Sequence, residues 1–167
     1  MRAAEGSCFR ILERELGKLN FPGARLERRP IEPAIQRLAD FSPVRLARAA
    51  RTRSGLSATE IYAGRSNLLY FIPGAEGGRS GSSIAVNGHV DVVAPYLPPR
   101  AHRGIIHGRG ACDDKGPVTA MVGALKVLDK VTHEIGLRLN RSVLGMWVIE
   151  EETGGNGSLS LAVDQQL

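Results

Sequence analysis

Cysteine is scarce in this chain. Cys8 and Cys112 are its only two, 104 positions apart in a sequence of 167 residues. Two isolated cysteines do not make a disulfide framework, and a reducing cytoplasm is the expected compartment. Long hydrophobic runs are also missing. No stretch approaches the roughly 18 apolar residues of a membrane-spanning helix, so no membrane partner is expected. The first residues, "MRAAEGSCFRILERELGKL", lack the continuous apolar core of a secretory signal. Aromatic residues make up only 5% of the chain, and none falls within its most basic run, "RLARAARTR" (Arg45–Arg53). Single-stranded nucleic acid is held largely by stacking bases on aromatic rings, so nucleic acid is not the expected partner.

The composition that remains is that of an ordinary globular domain. Apolar residues make up 43%, and the length suffices for one domain with a core. The net charge of +5 is uneven: residues 1–53 carry 12 Lys/Arg against 6 Asp/Glu, and residues 54–167 carry 10 against 11. A solvated basic surface accounts for this excess, and an anionic partner is the alternative.

Periodicity divides the chain into a helical start and an alternating second half. Phe9, Leu12, Leu16 and Leu19 recur at helical spacing, predicting a helix over 4–19 that "NFPG" stops. Residues 24–64 are punctuated by Pro30, Pro33 and Pro43, with room for short helices at 33–39 and 44–50. "NLLYFI" (67–72) and "SIAVNGHVDVV" (83–93) read as strands, and 67–72 and 83–87 are expected to pair as neighbours across the glycine-rich loop between them. "GIIHGRG" is a short extended piece. "PVTAMVGALKVLDKV" is a helix whose buried stripe is Val118, Met121, Val122, Leu125 and Leu128, with Pro117 in its first turn. "SVLGMWVI" is apolar on both faces and is expected at the centre of a sheet. "NGSLSLAVDQQL" begins another helix. This alternation predicts an α/β fold: a layered mixed or parallel sheet with helices on both faces.

Three segments carry chemistry. "GHVD" sets His89 and Asp91 two apart after a strand. "GRGACDDKG" puts Asp113 and Asp114 just before a helix. "EEETGG" puts Glu150, Glu151 and Glu152 at the tip of an apolar strand. Each is weak alone: an H-x-D pair, a turn, a solvated acidic face. Together they occupy the sheet edge at which open α/β folds bind ligands. Several carboxylates gathered there repel one another unless a cation is present. One imidazole with carboxylate oxygens suits Zn²⁺, with Mn²⁺ or Co²⁺ as alternatives. More than two carboxylates points to a pair of metals roughly 3.5–4 Å apart.

Taken in this order, "NGHVDVV", "HGRGACDDKGPVTAMVGAL" and "EEETGGNGSL" resemble the signatures of the zinc-dependent M20 metallopeptidases, which include amino-acid deacylases and carboxypeptidases. The resemblance spans about residues 66–165. It implies that His89 binds a first metal, that Asp91 orients its imidazole, that Asp113 bridges two zinc ions, that Glu151 is the general base and that Glu152 binds the second metal. It gives Glu150 no ligand role, makes Asp114 and Lys115 structural, and matches none of His102, His107 and His133 to a ligand position. It also implies a cis peptide between Asp113 and Asp114.

The implied activity is hydrolysis of an N-acyl or peptide amide on a small substrate bearing a carboxylate. The family also uses a further acidic ligand, a late histidine and a smaller domain that often dimerises. After Glu152 only residues 153–167 follow, with Asp164 their one acid and no histidine. The expectation is therefore that residues 1–167 are the N-terminal portion of one catalytic domain, inactive alone, and that a homodimer belongs to the full-length parent. The opposing reading is a non-catalytic module whose basic segment grips an anion. It requires binding that weakens steeply with salt.

Overall fold

The computed structural model describes residues 2–44, 56–75 and 83–164. The helix expected at 44–50, apart from Val44, and the basic run Arg45–Arg53 lie outside the described residues.

The first helix, α1 (Arg2–Leu16), buries Phe9, Leu12 and Leu16. It stops three residues before the expected end, at Gly17, and Leu19 packs against the core from the loop beyond. Next come strand β1 (Arg25–Pro30), a 3₁₀ turn at Pro33–Arg37 and helix α2 (Ala58–Tyr62). A capping box starts α2. The Ser57 hydroxyl accepts from the Glu60 amide, and the Glu60 carboxylate accepts from the Ser57 amide. Then follow β2 (Ser66–Ile72), β3 (Ile84–His89), the small strands β4 (Arg100–His102) and β5 (Ile105–His107), helix α3 (Lys115–Glu134), β6 (Val143–Val148) and helix α4 (Asn156–Ala162).

The main sheet is mixed, in the order β1-β2-β6-β3. β1 and β2 are antiparallel, as are β2 and β6, whereas β6 and β3 are parallel. β6 is thus central, as its two apolar faces require. The expected pairing of 67–72 with 83–87 is wrong: β6 lies between them, with Leu69 opposite Met146 and Asn87 opposite Met146 on its other side. The physical reason is that β6, with no charge along its length, must be hydrogen-bonded on both edges to be buried. β1 was not anticipated, because "RLERRP" has one apolar residue besides its proline. It is an edge strand, where charge is tolerated.

Alternation along β2 and β6 separates two cores. Leu68, Tyr70, Ile72 and Trp147 face α1 and α3, where Val118, Val122 and Leu125 are buried and Met121 and Leu128 half-buried. Leu69 and Val148 face the other way, against Leu161 of α4. Helices therefore cover both faces. β4 and β5 form a separate two-stranded hairpin. Positive φ at Arg103 (48°) and Gly104 (78°) gives it a tight turn of the twist that hairpins favour.

Candidate metal and catalytic site

Three chain segments meet at the C-terminal ends of β3 and β6. β3 ends at His89, and α3 starts two residues after Asp113. Gly88 allows this approach: a Cβ there would stand 3.0 Å from Asp114 Oδ2, 3.1 Å from Met121 Sδ and 3.2 Å from Val118 Cγ2. Asp114 Oδ2 accepts the His89 backbone amide at 2.9 Å, and Lys115 Nζ donates to the Val90 carbonyl at 3.3 Å. Both residues tie the α3 loop to the strand end, the structural part expected of them. The Asp113–Asp114 peptide is cis, as expected, and so is Ala94–Pro95.

His89 is the buried centre of the cluster. Its Nε2 lies 3.0 Å from Asp113 Oδ1 and 3.6 Å from Glu151 Oε2. Its Nδ1 lies 3.2 Å from the Asp91 carbonyl and 3.5 Å from Asp91 Oδ1. Burial alone would lower the imidazole pKa. The charge of Asp91, the hydrogen bond to Asp113 and the charges of Asp114 and Glu151 outweigh it and raise the pKa above its ordinary 6.5. Both ring nitrogens thus face acceptors, which favours the doubly protonated ring.

The Asp91 carboxylate has a second task that the sequence did not disclose. Its Oδ1 accepts the Glu151 backbone amide at 3.2 Å and its Oδ2 the Glu152 amide at 3.1 Å. One side chain therefore joins the β3 end to the acidic loop while standing behind the imidazole.

The three glutamates part company at Glu150, which has a left-handed backbone (φ 63°). Such a conformation costs a non-glycine residue about 1–3 kcal/mol and persists only where surrounding structure enforces it. Glu150 is 1% exposed and turns inward. Tyr62 Oη donates to its Oε2 at 2.8 Å, Asn156 Nδ2 donates to the same oxygen at 3.3 Å, and Arg65 pairs with its Oε1. Burial and the Glu150 charge push the Tyr62 phenol pKa well up. Glu151 and Glu152 emerge on the other side, toward His89. The run of three acids at an apolar strand tip is thus one buried anion and two site carboxylates.

Ligand atoms of His89, Asp113 and Glu152 all lie within 4.8 Å of one another. This group fits a divalent cation. Asp91 offers Nδ1 only acceptors, so the Nδ1 proton stays and Nε2 is the nitrogen left for a metal. A cation in place of the Nε2 proton relieves the crowding of carboxylate oxygens around it. His102, His107 and His133 are exposed and lie outside this group.

Residues 85–166, which contain all of these groups, match the model of peptidase family M20/M25/M40. This segment belongs to that family. The chain is 35% identical over 83 residues to a succinyl-diaminopimelate desuccinylase of Granulibacter bethesdensis, a match covering 45% of this chain and 21% of that protein. It is 29% identical over 110 residues to an N-formyl-4-amino-5-aminomethyl-2-methylpyrimidine deformylase of Halalkalibacterium halodurans, covering 60% and 25%. Among solved structures, a tripeptidase of Staphylococcus aureus superposes with a TM-score of 0.56 at 18% identity, over 94% of this chain and 34% of that one. This structural likeness shows the mixed α/β fold. The chain thus spans about a quarter or less of the length of these two sequence relatives. No helix among its described residues is long and apolar enough to cross a membrane.

Proposed function

We propose that this chain supplies the metal-holding and proton-transferring part of an amide hydrolase acting on N-acyl or peptide substrates. The observation that carries this reading is the convergence of His89, Asp113 and Glu152, with Glu151 Oε2 3.6 Å from the same imidazole nitrogen. His89 and Glu152 are the residues suited to hold one zinc ion each, and Asp113 is suited to lie between them. When bound, such metals polarise a carbonyl and make water acidic enough to supply a nucleophile near neutral pH.

The chain's own residues do the rest. Asp91 holds the His89 ring by Nδ1 and fixes the amides of Glu151 and Glu152. Glu151, about half exposed, has a carboxylate able to reach a water in the cleft. Its Oε atom accepts a proton from the attacking water and then passes it to the leaving amine nitrogen, converting a poor leaving group into a neutral amine. The names of the relatives, a desuccinylase and a deformylase, support removal of an acyl group from nitrogen, and the tripeptidase fold neighbour is compatible with peptide cleavage. A small carboxylate-bearing substrate is the class proposed. Further acidic and histidine ligands, a second domain, dimerisation and a cytoplasmic location belong to the same proposal. It also holds that residues 1–167 alone are inactive.

The test is hydrolysis of a panel of N-acyl amino acids and short peptides by the intact protein with Zn²⁺ or Co²⁺. Metal-dependent release of free amine, abolished by a chelator, is the expected result. Tight metal binding with no amide cleaved across the panel would overturn the proposal.

A further inference from the structure

Glu150 takes no part in the chemistry proposed above, yet it is the one glutamate placed where an anion is hardest to accommodate. Arg65, which faces it, is also buried, at 4% exposure. The guanidinium is shared: Nη1 pairs with Glu150 Oε1, while Nε and Nη2 donate to the two oxygens of Glu5 at 3.0 and 2.6 Å. The other Glu150 oxygen takes Tyr62 and Asn156. Asn156 is itself held by the chain at Ser42, whose amide donates to its Oδ1 at 3.0 Å and whose carbonyl accepts from its Nδ2 at 2.9 Å. Tyr62 of α2, Arg65 and Asn156 of α4 thus meet this carboxylate directly, while Glu5 of α1 braces Arg65 and Ser42 braces Asn156.

A buried ion pair is seldom better for stability than apolar residues of the same shape, so stability alone does not explain it. Its position does. From Glu150 the chain reverses, and the next two amides are those that Asp91 accepts. Behind the reversal, Gly155 N donates to the Glu150 carbonyl at 2.8 Å and Gly154 N to the Glu151 carbonyl at 3.0 Å. The loop bearing Glu151 and Glu152 is therefore gripped from two sides, by Asp91 at the site face and by Arg65, Tyr62 and Asn156 from the interior. Removing the interior grip takes away the side-chain contacts that hold the left-handed turn at Glu150.

We infer that Glu150, clamped by Arg65, is a positioning residue that sets where the Glu151 and Glu152 carboxylates stand relative to His89. The inference borrows the hydrolase reading for its catalytic readout only.

The experiment compares the intact protein with Glu150→Gln, with Tyr62→Phe, and with the double variant Glu150→Leu/Arg65→Met. Four quantities are measured: Co²⁺ affinity with its visible absorption band, hydrogen exchange of the Glu151 and Glu152 amides without metal, melting temperature, and kcat and KM. Glu150→Gln should shift the Co²⁺ band, lower Co²⁺ affinity or kcat about 10–100-fold, the usual effect of losing a residue that orients ligands, and speed exchange at both amides. KM should stay within about twofold, since substrate contacts are untouched. The double variant removes the Glu150–Arg65 pair but leaves Glu5 without its guanidinium partner, so it is read by the band, the amide protection and kcat, all of which should stay lost. Tyr62→Phe keeps the ion pair and should give smaller changes in the same direction.

A variant lacking the clamp with the wild-type Co²⁺ band, amide protection and kcat would overturn the inference, whatever its melting temperature. If the wild-type protein binds Co²⁺ but hydrolyses nothing, the hydrolase reading falls. The band and the exchange rates then still decide the clamp.

Discussion

Replacing Asp91 by Asn keeps the side chain's shape but removes the charge on which two backbone amides and one imidazole depend. The carboxylate accepts those amides at 3.2 and 3.1 Å and lies 3.5 Å from His89 Nδ1, with only 16% of its side chain exposed. An amide group has one acceptor oxygen, so its NH₂ must face either Glu151 N–H or Glu152 N–H, donor against donor. One hydrogen bond to a charged acceptor is lost and the other becomes neutral. At about 1.5–3 kcal/mol for a charged-acceptor bond, the metal-free protein should lose about 2–3 kcal/mol. A second effect depends on pH. The raised His89 pKa means that the protonated ring stabilises the fold. That contribution is complete below 6.5 and fades as pH rises through the folded-state value. Asp91 is the largest of the influences raising it. The gap between wild type and Asp91→Asn should therefore be widest below 6.5 and narrow as pH rises through the raised His89 pKa, above which only the hydrogen-bond part remains. Urea unfolding of chelator-treated protein across this range, with the His89 titration followed by NMR, checks both parts. A gap independent of pH, or a His89 pKa that does not fall in the variant, would refute the reasoning.

Three other outcomes rest on the same geometry. Glu151→Gln should retain bound metal, because Glu151 is not among the ligating group, yet lower kcat by about 10²–10⁴-fold, the usual loss for a general base; metal analysis beside steady-state kinetics checks it, and loss of the metal would make Glu151 a ligand instead. Gly88→Ala should destabilise by about 1–3 kcal/mol, as overpacking does, because the new methyl meets Asp114, Met121 and Val118 at 3.0–3.2 Å; thermal melting reads this out. Zn²⁺ should raise the melting temperature, by about 2.7 kcal/mol of stability at a hundredfold excess over Kd. The gain should shrink as pH drops below the raised His89 pKa, where a proton competes for Nε2, and titrations at two pH values measure it.

The local half of this protein was written in its sequence. The apolar stripe of α3, the two-faced hydrophobicity of β6 and the three polar clusters at strand and helix ends are consequences of side-chain periodicity, and short-range backbone geometry suffices to realise them. Strand neighbours were not legible, because pairing is a long-range choice. Only with the chain closed does β6 slip between β2 and β3, burying both of its faces and both of its edges. β1 was hidden for a related reason: a strand on a sheet edge does not need the apolar pattern that marks a strand in sequence. The hardest case is "EEE". Composition and spacing cannot distinguish three adjacent glutamates, and the family resemblance assigned roles to two of them. The tertiary structure separated the third. A left-handed turn at Glu150 sends its side chain toward Arg65, Tyr62 and Asn156, residues 85, 88 and 6 positions away, and leaves Glu151 and Glu152 facing His89. An anion can be buried only where a cation and donors already wait for it, and that arrangement exists only once α1, α2, α4 and the sheet have packed together.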